Sequence, residues 1–138
     1  MITYLDASSL VKYFIEEEGS ADVRALVESA LPTTSRLSAV EITSAICRRW
    51  REGQLSETAR DQALERLEEV LAELYIIELT PEITESAQQL LQLHPLRAGD
   101  AIQLASYLAV KNRTGKTVLF SAFDHRLNET ANRVIQAT

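Results

Sequence analysis

Apolar positions along the chain switch between strand-like and helical spacing, and each switch marks an element. Ile2 to Leu5 is short and β-favouring, and Asp6 follows it directly. Leu10, Val11 and Phe14 then recur at helical spacing, as do Val23, Leu26, Val27 and Ala30. Pro32 breaks that pattern, and Thr33-Thr34-Ser35 reads as a weak second strand. Ser38 is placed to cap the next helix, which carries Ile42, Ile46 and Trp50 on one face and ends near Gly53. Ser56 is placed to cap another, where Leu64, Leu67, Leu71 and Leu74 oppose Glu65, Glu68, Glu69 and Glu73.

Tyr75 to Leu79 has the character of a third strand, and Thr80-Pro81 opens a helix with a cap and a proline at the first helical position. After a loop with Pro95, Gly99-Asp100 leads into a helix bearing Ile102, Leu104, Ala105 and Leu108, which ends by Gly115. Thr117 to Phe120 is a compact fourth strand, a short helix follows Asp124, and Val134-Ile135 reads as a last strand. Strands alternating with helices imply an α/β fold, with a parallel sheet covered on both faces. No repeat, low-complexity tract or linker interrupts the chain, so residues 1–138 are expected to form one domain.

Composition supports that expectation. With 46% hydrophobic and 25% charged residues, the 138-residue chain can bury a core without disulfides. Cys47 is the sole cysteine and excludes an intramolecular bridge. The start of the chain has no basic leader with an apolar run, and nothing approaches the roughly 18 apolar residues of a membrane span. The expected location is cytoplasmic, with no membrane. A net charge of −6 counts against a broad basic nucleic-acid surface. Acids that hold metal ions would contribute to the same balance, and a basic protein partner would suit it.

Four acids stand out by position. Asp6 follows the first strand, Asp124 the fourth, Glu41 lies early in the helix after the second, and Asp100 starts the helix before the fourth. All four can converge where ligands gather in open α/β sheets, at the carboxyl ends of the strands. Each also has an innocent explanation. Asp6 could cap a helix, Ser38-Ala39-Val40-Glu41 matches a capping box, Asp100 could complement a helix dipole, and Asp124 could sit in a turn. Together they would repel, and a hard divalent cation such as Mg²⁺ would relieve that conflict while keeping waters for a phosphate substrate.

The local strings narrow the choice. Tyr4-Leu5-Asp6-Ala7-Ser8-Ser9-Leu10-Val11-Lys12 resembles the opening of PIN-domain proteins, and Ser38-Ala39-Val40-Glu41-Ile42 their second motif. Leu96-Arg97-Ala98-Gly99-Asp100-Ala101-Ile102-Gln103-Leu104-Ala105 is very similar to their third, and Leu119-Phe120-Ser121-Ala122-Phe123-Asp124-His125-Arg126-Leu127 resembles the fourth. The strings occur in the family's order nearly from end to end, and the length matches a VapC-type toxin. One departure is that Ala122 stands where many relatives carry Ser or Thr, two residues before the fourth acid.

The resemblance implies a PIN-like three-layer α/β/α sandwich with a central parallel sheet. It also implies RNA cleavage dependent on Mg²⁺ or Mn²⁺, control by a cognate antitoxin, and a homodimer. It assigns Asp6, Glu41, Asp100 and Asp124 as catalytic metal ligands, with Ser8 orienting Asp6 or a water. The products would carry a 5′-phosphate and a 3′-hydroxyl. Lys12, Arg97 and Arg126 lie near three of the acids in sequence and could touch phosphates, with Arg48, Arg49 and Arg51 as a further basic cluster. Lys111, Arg113 and Lys116 read as surface charge near a helix end. The amphipathic stretch Ser56 to Leu74 could meet an antitoxin or a second subunit, or face the core of its own domain.

Two rivals make different forecasts. A metal-independent ribonuclease using His94 and His125 as acid and base would leave cyclic-phosphate ends and ignore chelators. A catalytically silent PIN-like binding or signalling module would cut nothing. Phosphoacceptor receiver domains usually begin with adjacent acids after the first strand, whereas Ala7 and Ser8 follow Asp6 here.

Overall fold

A computed structural model describes residues 1–29 and 31–137 of the protein. Four strands, β1 (Ile2–Leu5), β2 (Leu31–Ser35), β3 (Tyr75–Ile77) and β4 (Val118–Ser121), form one parallel sheet in the order β3-β2-β1-β4. β1 is buried along its whole length, as a strand covered on both faces should be. Pro32 is tolerated in β2 because the ladder to β3 begins only at Thr33, opposite Tyr75.

Helices connect the strands. α1 (Ala7–Leu10) runs into a 3₁₀ turn at Val11–Tyr13, and α2 (Ser20–Val27) leads towards β2. α3 (Leu37–Arg51) and α4 (Glu57–Leu71) link β2 to β3. α5 (Pro81–Leu93) and α6 (Ala98–Thr114) link β3 to β4, and α7 (His125–Ala137) closes the fold. Ser56 accepts the Ala59 N–H and Thr80 the Ile83 N–H, so both expected caps form. Gly115 ends α6 with φ +64°, the left-handed position that favours glycine.

Alternation along β1 divides the interior. Ile2 and Tyr4 join a core with Ile83, Leu104, Val118 and Leu127 from the α5, α6 and α7 side. Leu5 joins the opposite core with Leu10, Val23, Ile42, Ile46 and Leu67. The result is the three-layer α/β/α arrangement expected from the sequence. Leu67 is buried while Glu65, Glu68 and Glu69 are exposed, so the stripe on α4 faces this core.

Three expectations need correction. Val134-Ile135 belongs to α7 and is no strand, because Leu127, Thr130, Ala131 and Val134 recur at helical spacing and are all buried. Ser38 is no cap. The hydroxyl of Ser35 accepts the Leu37 N–H at 3.1 Å, while Ser38 is buried inside α3 and exchanges a 2.7 Å hydrogen bond with Thr34. The third strand ends at Ile77, two residues short of Leu79. Ala30, the last position of one helical pattern, lies outside the described residues.

Candidate active site

The chain leaves β1 towards β2 on one side and returns as β4 on the other. That reversal opens a crevice at the carboxyl ends of β1 and β4, the place where parallel sheets bind ligands. Asp6 stands at its floor, 3% exposed. Its Oδ1 accepts the Ser9 N–H at 3.0 Å and the Ser8 hydroxyl at 2.7 Å, so it caps α1. Ser8 in turn accepts the Phe123 N–H at 2.9 Å, tying β1 to the loop after β4. Ser121, beside the departure from the family pattern, exchanges a 2.8 Å hydrogen bond with Ser9.

Glu41 comes from α3 and is not part of a capping box. Its Oε1 accepts the Gln103 Nε2–H at 2.7 Å, and Gln103 also donates to Ser38 at 3.1 Å and accepts the Tyr4 hydroxyl at 2.6 Å. The Glu41 carboxylate lies so near α6 that a Cβ on Gly99 would stand 2.9 Å from Oε2. Asp100 follows in the first turn of α6, as expected for a side chain near a helix N-terminus. Asp124 accepts the Leu127 N–H at 2.9 Å through Oδ1 at the start of α7.

Electrostatics join the acids in a series. Burial raises the Asp6 pKa to about 7, against the pull of its bonds to Ser8 and Ser9, with smaller upward pushes from Glu41 and Asp100. Burial also raises that of Glu41, against its Gln103 bond, and Asp100 pushes the same way. Asp100 is raised by burial and then by Asp124, and is held back by Arg97 and Arg126. Asp6, Glu41 and Asp100 therefore each feel another acid of the set.

Among the described residues, no three acidic, histidine or cysteine groups close on one point as a ready-made metal cage. The donor chemistry nevertheless fits a hard cation that keeps part of its water shell. All the candidate donors are carboxylate oxygens, and Mg²⁺ is usually held by one or two of them plus water and substrate phosphate.

Cations are divided around the acids. Arg97 and Arg126 share a cleft of about 470 Å³ with Asp100, Phe123 and Asp124. A second cleft is lined by Ser8, Lys12, Glu41, Arg48, Arg49 and Phe123. Lys12 is already engaged by Glu17 at 3.2 Å and the Glu18 carbonyl at 2.8 Å, and Arg49 pairs with Glu17 at 3.0 Å. His125 lines the first cleft and pairs with Glu129, while His94 sits at the end of α5 and lines neither cleft. The two imidazoles are not assembled as an acid–base pair there. Sequence reasoning missed Gln103 as a holder of Glu41. Its one available signal is position, a turn beyond Asp100 on α6.

A parallel sheet with one buried and three half-buried acids near its reversal point defines the class. The chain belongs to the PIN-domain family, whose model matches residues 3–133. It is 32% identical to Ribonuclease VapC45 of Mycobacterium tuberculosis strain CDC 1551 / Oshkosh over 132 residues, covering 95% of this chain and 90% of that protein. The same figures hold for Ribonuclease VapC49 of strain H37Rv. These relatives place it among VapC-type PIN proteins. Its fold also matches the crystal structure of Mycobacterium tuberculosis VapC20, a sarcin-ricin loop cleaving toxin, with a TM-score of 0.62, 20% identity, and 92% and 93% of the two chains covered. A second match is VapBC2 from Rickettsia felis, bound to a DNA fragment from their promoter, with a TM-score of 0.58, 13% identity and coverage of 90% and 100%.

Proposed function

We propose that this chain is a ribonuclease dependent on Mg²⁺ or Mn²⁺ and the toxin of a cytoplasmic toxin–antitoxin pair. The observation that carries the reading is the series of electrostatically linked acids, Asp6, Glu41, Asp100 and Asp124, at the β1–β4 crevice. The 32% identity to proteins named as ribonucleases supports it. No helix among the described residues is long and apolar enough to cross a membrane.

A bound divalent ion would supply charge stabilisation for a phosphodiester oxygen and acidify the attacking water. Asp6, Glu41 and Asp100 would hold it directly or through water, with Asp124 completing the set. Ser8 keeps Oδ1 of Asp6 in place. Gln103 does the same for Glu41 and fixes which oxygen it offers. Arg97 and Arg126, beside Asp100, would draw phosphates of the strand into the crevice. A cognate antitoxin and association into a homodimer belong to the same reading, and mass measurement in solution checks the latter.

Purified protein should cleave RNA with Mg²⁺ or Mn²⁺, stop in EDTA, recover on adding metal, and leave 5′-phosphate ends. Full cleavage after exhaustive chelation, with cyclic-phosphate products, would overturn the mechanism. A folded protein that cuts no RNA with either ion would be a silent PIN-like module.

A further inference from the structure

We propose that Phe123 is the stacking platform by which this site holds an unpaired base beside the scissile phosphate; this rests on the ribonuclease reading above. Phe123 precedes Asp124, is 50% exposed, and belongs to neither hydrophobic core. Burial would favour turning such a ring inward. Instead it lines both clefts that flank the acids, with Arg97 and Arg126 on one side and Lys12 and Arg48 on the other. A strand drawn by Arg97, Arg126 and Arg48 across the acids passes this ring.

The ring is held in place at three points. Its own backbone N–H bonds Ser8 at 2.9 Å, one residue pair away from Asp6. Lys12 Nζ lies 4.6 Å from the ring centroid, held there by Glu17 and the Glu18 carbonyl. Gly19, with φ +91°, approaches so closely that a Cβ there would meet the ring at 3.0 Å. A pinned ring loses little freedom when a base settles on it. Every base has a π-face to offer, whereas bases inside a duplex already spend both faces on their neighbours. The ring therefore selects for unpaired nucleotides without reading their identity.

Binding is measured by fluorescence anisotropy in an Asp100→Asn background that leaves RNA intact. The probes are a labelled unstructured RNA of roughly 12 nucleotides and its annealed duplex. Phe123→Leu keeps an apolar contact for Gly19 and removes the aromatic face. It should weaken single-strand binding by about tenfold or more and leave duplex binding within about twofold. An RNA made abasic at successive positions should lose affinity at one position for the parent protein but not for the Leu variant, an outcome that loop anchoring alone does not produce. Equal single-strand affinity of parent and variant, or equal loss on both probes, overturns the platform. If the Leu variant loses its cooperative melt, Phe123→Trp decides: tighter single-strand binding than the parent supports the platform, and equal or weaker binding overturns it. Cleavage by the wild-type protein is assayed in parallel, so a protein that cuts no RNA removes the ribonuclease reading, while cleavage with unchanged binding by the Leu variant removes the platform alone.

Discussion

Replacing Asp6 by Asn should stabilise the metal-free protein while abolishing its activity, because the burial that suits Asp6 to a cation makes its charge unfavourable without one. Asp6 is 3% exposed, and burial lifts its pKa from 3.8 to about 7, with Glu41 and Asp100 adding to the push. A carboxyl whose folded pKa lies above the unfolded value binds its proton more tightly when folded. Stability is therefore lost as pH rises from about 4 to about 7, and the loss is complete above that window. Roughly three pKa units at ~1.36 kcal/mol each set an upper bound of ~4 kcal/mol at pH 8, and relaxation of the site brings the expected gain for Asp6→Asn to ~2–4 kcal/mol. The amide oxygen of Asn still accepts from Ser9 and Ser8, so the cap on α1 survives. At ~2.1 cal/mol/K of unfolding entropy per residue, that gain raises Tm by ~7–14 °C at pH 8 and by under ~3 °C near pH 4. Thermal denaturation in EDTA across this range checks both figures. Adding Mg²⁺ or Mn²⁺ should raise the wild-type Tm more than the variant's and narrow the gap. An Asn variant less stable than wild type at pH 8 without metal would refute the reasoning and make the Asp6 charge a net structural asset.

Two further substitutions separate folding from chemistry around Glu41. Glu41→Gln keeps an oxygen for the Gln103 donor and removes the charge, so folding should stay near wild type while cleavage falls at least ~100-fold; retained cleavage in a folded variant would return Glu41 to a structural role. Gly99→Ala places a Cβ 2.9 Å from Glu41 Oε2 on a helix that otherwise favours alanine. Its Tm should hold or rise by the equivalent of up to ~1 kcal/mol, while misplacement of the carboxylate lowers cleavage ~10–100-fold. Parallel melting and cleavage assays check this pair, and a Gly99→Ala protein with full activity would show that the Glu41 position is not critical.

Much of this arrangement is legible in sequence because it depends on local signals. The short apolar runs of β1 and β4, the Thr80-Pro81 start of α5 and the Gly115 stop of α6 are each written within a few residues. The errors come from residues whose role is set at a distance. Ser35 and Ser38 lie three apart with the same hydroxyl, and packing makes one the start of α3 and the other a buried partner of Thr34 and Gln103. Gln103 reaches Tyr4, 99 positions away, and Glu41, 62 positions away, so its link between sheet and site has no local trace. α7 is misread because its buried face includes Thr130 and Ala131, which give a weak apolar signal, whereas the adjacent Val134 and Ile135 give a strong β-branched one.

The innocent and functional explanations of the acids also prove compatible. Asp6 caps α1 and Asp124 caps the first turn of α7, as single-residue reasoning expects. Each described bond to these two carboxylates falls on Oδ1. The caps fix the rotation of each group while leaving Oδ2 without a described protein donor, and a carboxylate oxygen fixed in this way suits a hydrated cation. Removing the whole carboxylate would therefore confound two effects, loss of a helix start and loss of a ligand. Asn retains the capping oxygen and deletes only the charge, so a protein that keeps its fold and loses its chemistry with Asn at position 6 separates the cap from the site.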